Sequence, residues 1–184
     1  MKLVVGTTSY DDFKDCDLVV EAVFENMKVK HQVFQELEKV LPESAVMATN
    51  TSALSITHIA SAVKRPEKVI GMHFFNPAPV MKLVEVIPGL QTAPETVDDV
   101  MAFAESLRKL PVRVKECAGF LVNRLLLPYL NEAAYAFQEG AAPAEDIDKA
   151  MRAFGMPMGP FALLDMLGLD VCAEVGMILY DSFG

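Results

Sequence analysis

The sequence predicts an α/β fold in which an open, mostly parallel sheet precedes an all-α part. Over residues 1–116, short apolar segments alternate with amphipathic helical segments, the pattern of buried strands joined by helices. After Gly119 the short apolar segments stop, and only helical patterns remain. This change predicts two domains, with residues 1–116 in the sheet domain and residues 117–184 in a helical C-terminal domain.

The first predicted elements are strands at Leu3–Gly6 and Asp17–Val23, both short apolar segments. Asn26 is expected to cap the N-terminus of a helix, because its side chain can accept a hydrogen bond from free N–H groups of the first turn. Apolar residues then recur on one helical face as far as Leu41. Pro42 is expected to end this helix.

The rest of the sheet domain follows the same alternation. Strands are predicted at 45–48, 69–75, 83–87 and 111–114, a polar turn at 50–52, and helices at 55–63 and from about 92 to 110. Thr92 and Glu95 have the spacing of a capping box at the start of the last helix. In the helical domain, helices are predicted at 119–139 with an interruption at Pro128, at 146–154 and at 161–180.

Composition excludes several classes of function. The chain has 184 residues, 52% of them hydrophobic, which is enough for a packed core. Its net charge of −9 argues against a nucleic-acid partner, since such binding relies on Lys and Arg. Three cysteines without a C-x-x-C spacing indicate reduced thiols and a cytoplasmic location. No apolar segment reaches the roughly 18 residues of a membrane span, and no metal-ligand spacing is present.

His73 and Glu85 are the strongest candidates for chemistry. Glu85 lies between Val84 and Val86, so on a strand its side chain points away from its neighbours. If the two predicted strands pair through the turn at Asn76-Pro77, the carboxylate can meet the imidazole, fix its tautomer and make its other nitrogen a better proton acceptor. A packed core histidine and an outward-facing glutamate are the alternatives.

Ser52, Asn50 and Asn123 are weaker candidates. Ser52 and Asn50 follow a predicted buried strand, where ligands bind in open α/β sheets, although an ordinary N-cap and turn explains them better when they are taken alone. Asn123 lies among apolar residues on the first predicted helix of the second domain. It is either a buried polar group with a partner or a residue that faces a cleft.

Six segments together resemble the L-3-hydroxyacyl-CoA dehydrogenase family, in its order and spacing, over essentially the whole chain. They are residues 20–30, 50–54, 71–77, 82–86, 119–124 and 155–160. The resemblance implies a partial Rossmann-like domain followed by a helical domain. The implied activity is NAD-dependent oxidation of L-3-hydroxyacyl-CoA to 3-ketoacyl-CoA in fatty-acid β-oxidation, with an acyl-CoA substrate.

The resemblance also assigns roles in substrate chemistry. His73 is similar to the family's catalytic base, which takes the 3-hydroxyl proton, and Glu85 to the residue that orients the base. Ser52 and Asn123 are similar to the residues that hydrogen-bond the substrate oxygens.

For the cofactor, the resemblance implies that Glu25 and Lys30 contact a ribose of NAD. Asn50, Ser52 and Asn76 would line the nicotinamide end of the same site.

The chain departs from the family pattern at its start. It contains no G-x-G-x-x-G, the turn that cradles the cofactor pyrophosphate in such domains. We therefore expect that the family's first βαβ unit is missing, that the second domain is cut short, and that NAD binds poorly or not at all.

Several alternatives stay open. The chain is similar both to single-activity enzymes and to the dehydrogenase part of multifunctional fatty-acid oxidation α-subunits, so a homodimer and a fatty-acid oxidation complex are both candidate assemblies. A related 3-hydroxyacid dehydrogenase and a non-catalytic dimerising fragment are the competing functions. The sequence does not determine acyl-chain preference.

Overall fold

A computed structural model describes residues 3–184 of the chain. The chain divides between Phe120 and Leu121 into two compact units. The first unit contains a five-stranded sheet and three α-helices, and the second contains four α-helices.

The sheet of the first unit is mostly parallel, as predicted. Its strands are β1 (Leu18–Glu21), β2 (Val46–Thr49), β3 (Val69–Phe74), β4 (Leu83–Pro88) and β5 (Leu110–Arg113). They lie side by side in chain order. Three of the four neighbouring pairs are parallel, and only β3 and β4 run antiparallel. The reversal follows from the connection, since a short loop joins β3 to β4 whereas helices join the parallel neighbours.

Three α-helices connect the strands: α1 (Met27–Val40), α2 (Ile56–Ala60) and α3 (Pro94–Ser106). Asn26 caps α1 as predicted, and its side chain accepts hydrogen bonds from the N–H groups of Lys28 and Val29. At the other end, Leu41 is already extended and precedes Pro42, which disfavours helical backbone before it. Short 3-10 turns occupy Tyr10–Phe13 and Pro66–Lys68.

The sheet is covered by helices on both faces, because successive strand residues point to opposite sides. Met47, Val69 and Ile87 pack in one buried cluster with apolar residues of α1 and α2. Ala48, Ile70 and Val86 pack in a second cluster with residues of α3. Each fully buried aliphatic side chain contributes roughly 1.5–3 kcal/mol to the stability of the fold. These two apolar layers therefore stabilise the sheet, whose edge carries the candidate site.

Two predictions in the first unit are wrong. Residues 3–6 form no strand, and the Leu3 side chain is 98% exposed; an apolar run becomes a strand only where another strand pairs with it. The capping box at Thr92 is absent, because the Thr92 hydroxyl donates to the Val69 carbonyl and accepts from the Gly89 N–H. The helix starts at Pro94 and ends at Ser106, before Arg108 takes a positive φ of 60°.

The second unit contains α4 (Val122–Gln138), α5 (Ala144–Phe154), α6 (Pro160–Leu167) and α7 (Leu169–Phe183). The segment predicted as one helix at 161–180 forms two helices, because Gly168 has a φ of 95° and interrupts the helical backbone. Pro128 does not interrupt α4. Asp148 of α5 accepts hydrogen bonds from the N–H groups of Phe161 and Ala162, so it satisfies the first turn of α6.

Within residues 3–184, no helix is both long and apolar enough to cross a membrane.

We predict that Gly71→Ala destabilises the sheet. A Cβ at this position of β3 would lie 2.8 Å from Cδ1 of Ile56 and 3.0 Å from Cβ of Ile87. Both side chains are buried, so the substitution should lower the free energy of unfolding by about 1–3 kcal/mol through overpacking. Urea denaturation measures the change.

Gly176→Ala is the matched control. Gly176 lies within α7 with nothing within 4 Å of an added Cβ, and alanine favours helix by roughly 1 kcal/mol over glycine. Equal effects of the two substitutions would contradict the packing argument.

We also predict that Tyr129→Phe reduces the loss of folding stability at alkaline pH. Among residues 3–184, the buried Tyr129 hydroxyl has no hydrogen-bond partner. Burial and, secondarily, the negative charge of Asp148 raise the pKa of Tyr129. The folded state therefore favours the neutral phenol. The contribution of Tyr129 to the free energy of unfolding is fully present below about pH 10 and is lost as the pH rises through the folded-state pKa.

Urea denaturation between neutral pH and pH values above about 10 tests this. The Tyr129→Phe variant should be at least as stable as the parent at neutral pH, because no buried hydroxyl is left unsatisfied, and it should lose less stability above that range. Tyr180→Phe, at a tyrosine that is 67% exposed, is the control. Parallel curves for parent and Tyr129→Phe would refute the prediction.

Candidate active site

Three parallel strands end at the same edge of the sheet. β1 ends at Glu21, β2 at Thr49 and β3 at Phe74, and these strands are direct neighbours. Their carboxyl ends therefore open onto the loops at 22–26, 50–55 and 75–82. Ligands of open α/β sheets bind beyond this edge.

His73 and Glu85 form a buried pair next to this edge. The antiparallel register of β3 and β4 places them directly opposite each other. Nδ1 of His73 lies 2.8 Å from Oε2 of Glu85, and the residues are 5% and 0% exposed. An ionised Glu85 carboxylate only accepts hydrogen bonds, so with it Nδ1 carries the proton and a neutral imidazole has its acceptor at Nε2.

Aromatic rings restrict the imidazole further. The ring centroid of His73 lies 4.6 Å from that of Phe75 and 5.8 Å from that of Phe120. These two rings and the carboxylate restrict the orientation of the imidazole. A fixed tautomer in a fixed orientation is what a general base requires.

The turn after β2 is organised by Glu25. One carboxylate oxygen of Glu25 accepts the Thr51 hydroxyl, the Ser52 N–H at 2.8 Å and the Ala53 N–H at 3.3 Å. Thr51 in turn accepts the Leu54 N–H. Ser52 is therefore held through its own backbone, and it is half-buried.

Lys30 lies beneath this turn and is 1% exposed. Its ammonium group is 2.9 Å and 3.1 Å from the two carboxylate oxygens of Glu21 and 3.3 Å from Glu25. Glu21 also accepts the Thr49 hydroxyl at 2.7 Å and the Val23 N–H at 2.6 Å. The structure thus brings Glu25, Lys30 and Ser52 into one connected group.

Asn50 and Asn76 lie on two loops of the same edge. The Asn50 side-chain oxygen accepts the Phe74 N–H at 2.8 Å and so ties the end of β2 to the end of β3. Asn76 is exposed in the loop after β3, and its peptide bond to Pro77 is cis. Asn123 belongs to the second unit, where it is half-buried in the first turn of α4.

Sequence reasoning missed Glu21, Thr49 and Lys109. Glu21 carries the same signal that identified Glu85, a carboxylate in an otherwise apolar strand. Lys109 follows α3, and its ammonium group donates to the carbonyls of Ala78 and Met81 in the loop between β3 and β4. No sequence pattern connects Lys109 to a loop about thirty residues away. The described residues contain no cluster of three or more side chains that could hold a metal ion.

A mostly parallel sheet with polar loops at its carboxyl edge, followed by a separate helical unit, defines a two-domain protein of the Rossmann-like class. A comparison with family models gives the family. Residues 1–117 match the NAD binding domain of 3-hydroxyacyl-CoA dehydrogenase, and residues 119–184 match its C-terminal domain. The chain belongs to the 3-hydroxyacyl-CoA dehydrogenase family.

Similar proteins carry two kinds of name. A 3-hydroxybutyryl-CoA dehydrogenase of Clostridioides difficile is 52% identical over 98% of this chain and 65% of its own length. A fatty acid oxidation complex subunit alpha of Shewanella amazonensis is 49% identical over 100% of this chain and 26% of its own length. The chain thus spans less than two thirds of either relative.

Solved structures agree with this assignment. The crystal structure of (S)-3-hydroxybutyryl-CoA dehydrogenase from Ralstonia eutropha matches with a TM-score of 0.93 at 46% identity. The match covers 97% of this chain and 63% of that one. The predicted fold class is therefore confirmed.

We predict that Lys109→Met loosens the loop between β3 and β4. The Val80 and Met81 N–H groups both donate to the Pro77 carbonyl, and the Lys109 ammonium group holds the same loop from outside. Its loss removes two hydrogen bonds of about 1 kcal/mol each, so hydrogen exchange at these amides should speed up by as much as roughly thirtyfold. Lys82→Met, at the exposed last residue of the loop, is the control. Unchanged exchange in Lys109→Met would show that this lysine does not hold the loop.

Proposed function

We propose that this chain carries out NAD-dependent oxidation of an L-3-hydroxyacyl-CoA to the 3-ketoacyl-CoA. The observation that supports this best is the buried contact between His73 and Glu85, 2.8 Å apart at the carboxyl edge of the sheet. Membership of the 3-hydroxyacyl-CoA dehydrogenase family supports the same reaction.

In this proposal His73 takes the proton of the substrate 3-hydroxyl group. Glu85 holds the imidazole through Nδ1, so Nε2 is the nitrogen that receives the proton. As the imidazolium forms, the carboxylate of Glu85 stabilises its charge. A positioned general base of this kind contributes roughly 10²–10⁴-fold to the rate.

We assign substrate orientation to Ser52 and Asn123. A hydroxyl group and a carboxamide can each donate a hydrogen bond to a carbonyl or alkoxide oxygen. Ser52 stands on a turn that Glu25 fixes through three hydrogen bonds, and Asn123 stands on a helix. Donors held on a fixed backbone suit a reaction whose rate depends on orientation.

The residues at the sheet edge fit the uncharged part of NAD. The proposed cofactor residues are Glu25, Lys30, Asn50, Ser52 and Asn76, of which Lys30 is 1% exposed and would contribute through Glu25. Their amide, hydroxyl and carboxylate groups suit ribose hydroxyls and a carboxamide rather than a pyrophosphate, since only Lys30 is cationic and it already pairs with two carboxylates. When bound, NAD supplies the hydride acceptor.

Pathway, location and assembly extend this proposal. We place the reaction in fatty-acid β-oxidation, because one relative is named as a subunit of a fatty acid oxidation complex. A cytoplasmic location rests on Cys16, Cys117 and Cys172, all of which are free thiols in the structure.

A homodimer is the candidate assembly that the helical unit favours. Leu169, Met177 and Tyr180 of α7 are 68%, 58% and 67% exposed, and exposed apolar helix faces commonly mark interaction sites. This surface also favours the competing function, a non-catalytic dimerising unit. The activity measurements below discriminate between the two functions.

We predict that His73→Asn abolishes most dehydrogenase activity. With acetoacetyl-CoA and NADH as the reverse-direction substrates, loss of NADH absorbance reports turnover. Removal of the base should lower kcat by roughly 10²–10⁴-fold. Glu85→Gln keeps the shape and an acceptor oxygen but loses the charge, so its kcat should fall less than that of His73→Asn.

His58→Asn is the matched control, since His58 is exposed on α2, and it should retain parental activity. Circular dichroism of each variant checks folding. A folded His73→Asn variant that turns over as fast as the parent would refute the assignment of the base. An inactive, folded parent would favour the non-catalytic function.

A further inference from the structure

The charged residues next to the turn after β2 form a continuous series, in which Glu21 and Lys30 are buried and Glu25 is partly exposed. Glu21 at the end of β1 pairs with Lys30 of α1, and Lys30 reaches Glu25 in the loop that precedes α1. Glu25 then accepts from the backbone N–H of Ser52. This series of contacts connects Glu21 in the sheet, through the Lys30 ammonium group and Glu25, to the backbone of Ser52. Ser52 is a proposed substrate-binding residue.

The contacts of Lys30 leave its ammonium group no free donor. Four acceptor atoms lie within 3.5 Å of Nζ: both carboxylate oxygens of Glu21, one oxygen of Glu25 and the carbonyl of Val23. An ammonium group has only three N–H donors. With 1% of the residue exposed, Lys30 offers neither a surface nor a spare hydrogen bond to a ligand.

Glu25 is held from both ends. One of its oxygens faces the Lys30 ammonium group, and the other accepts from the Thr51 hydroxyl and the N–H groups of Ser52 and Ala53. Any movement of the carboxylate would break either the ion pair or the turn. Its side chain is 24% exposed, whereas those of Lys30 and Glu21 are 1% and 0% exposed.

We propose that Glu21, Lys30 and Glu25 are positioning residues, which hold Ser52 in place by fixing the turn at 51–53. This inference rests on the proposed function, because it assigns Ser52 to the substrate. It gives Lys30 a different role from a direct contact with the cofactor ribose. Lys30 acts on Glu25, and Glu25 acts on the Ser52 backbone.

The physical reason is the cost of breaking a buried ion pair. If the turn shifted and pulled Glu25 away, the buried Lys30 ammonium group would lose one of its two carboxylates. If Lys30 moved instead, Glu21 would be left with a buried charge. Leaving one member of a buried pair without its partner is strongly destabilising, and networks of this kind restrict all of their members together.

A double-mutant cycle between Lys30→Met and Ser52→Ala tests the proposal in the full chain. Misplacement of a substrate-orienting group by about 1 Å can cost up to roughly 10²-fold in rate, so Lys30→Met should lower kcat/KM for acetoacetyl-CoA by about 10- to 100-fold. In the Ser52→Ala background, the same substitution should cost less than about threefold, because the hydroxyl group it positions is already gone.

A direct cofactor contact gives a different result. Lys30→Met would then raise the KM for NADH, and its effect would be the same in the parent and in the Ser52→Ala background. That outcome would overturn the proposal. Lys39→Met is the control, since Lys39 lies on the same helix in a 64% exposed surface pair with Glu36, and surface changes of this kind have small effects.

Glu25→Gln is the second variant, in case Lys30→Met does not fold. It keeps an acceptor oxygen for the Ser52 N–H but removes the charge that pairs with Lys30. Its effect on kcat/KM should also shrink in the Ser52→Ala background. Full additivity for Glu25→Gln would overturn the proposal as well.

Hydrogen exchange separates this inference from the proposed function. The Ser52 and Ala53 amides should exchange about tenfold faster in Lys30→Met or Glu25→Gln than in the parent and in Lys39→Met, whether or not the protein is active. Faster exchange with an inactive parent would refute the proposed function and leave the positioning role standing. Unchanged exchange would refute the positioning role, even in an active enzyme.

Discussion

The antiparallel pairing of β3 with β4 is the interaction on which the candidate site depends. Its register sets His73 opposite Glu85, and a shift of one residue would turn the two side chains to opposite faces of the sheet. The register is held by the core, because Ile70, Met72, Val84 and Val86 pack together on the face toward α3. The apolar packing of one face therefore fixes the polar geometry of the other.

Buried and half-buried carboxylates recur in the first unit, and three of them join separate elements. Glu21 joins β1, β2 and α1 through Thr49 and Lys30. Glu25 joins α1 to the turn after β2. Glu116, after β5, accepts from the Ser55 hydroxyl and the Thr57 N–H at the start of α2. A carboxylate can accept several hydrogen bonds, so a few acidic residues align several loops at once.

The sequence predicted what local patterns determine. The Asn26 cap, the end of α1 before Pro42 and the pairing of His73 with Glu85 all follow from residue type and spacing. The strand expected at Leu3–Gly6 is absent because a strand depends on a partner elsewhere in the chain. The break at Gly168 depends on a positive φ that the residue type permits but does not require. The contacts of Lys109 and the series of contacts from Glu21 to Ser52 are tertiary, so no local sequence pattern predicts them.

The order of the strands has a consequence for how the first unit forms. Each of the five strands in residues 3–184 lies beside its neighbour in the chain order. Topologies with such short sequence separations fold faster than those with distant pairings. As the chain leaves the ribosome, β2 can add to β1, β3 to β2 and β4 to β3. Only twelve residues separate His73 from its carboxylate, so the pair can form as soon as β3 and β4 have both emerged.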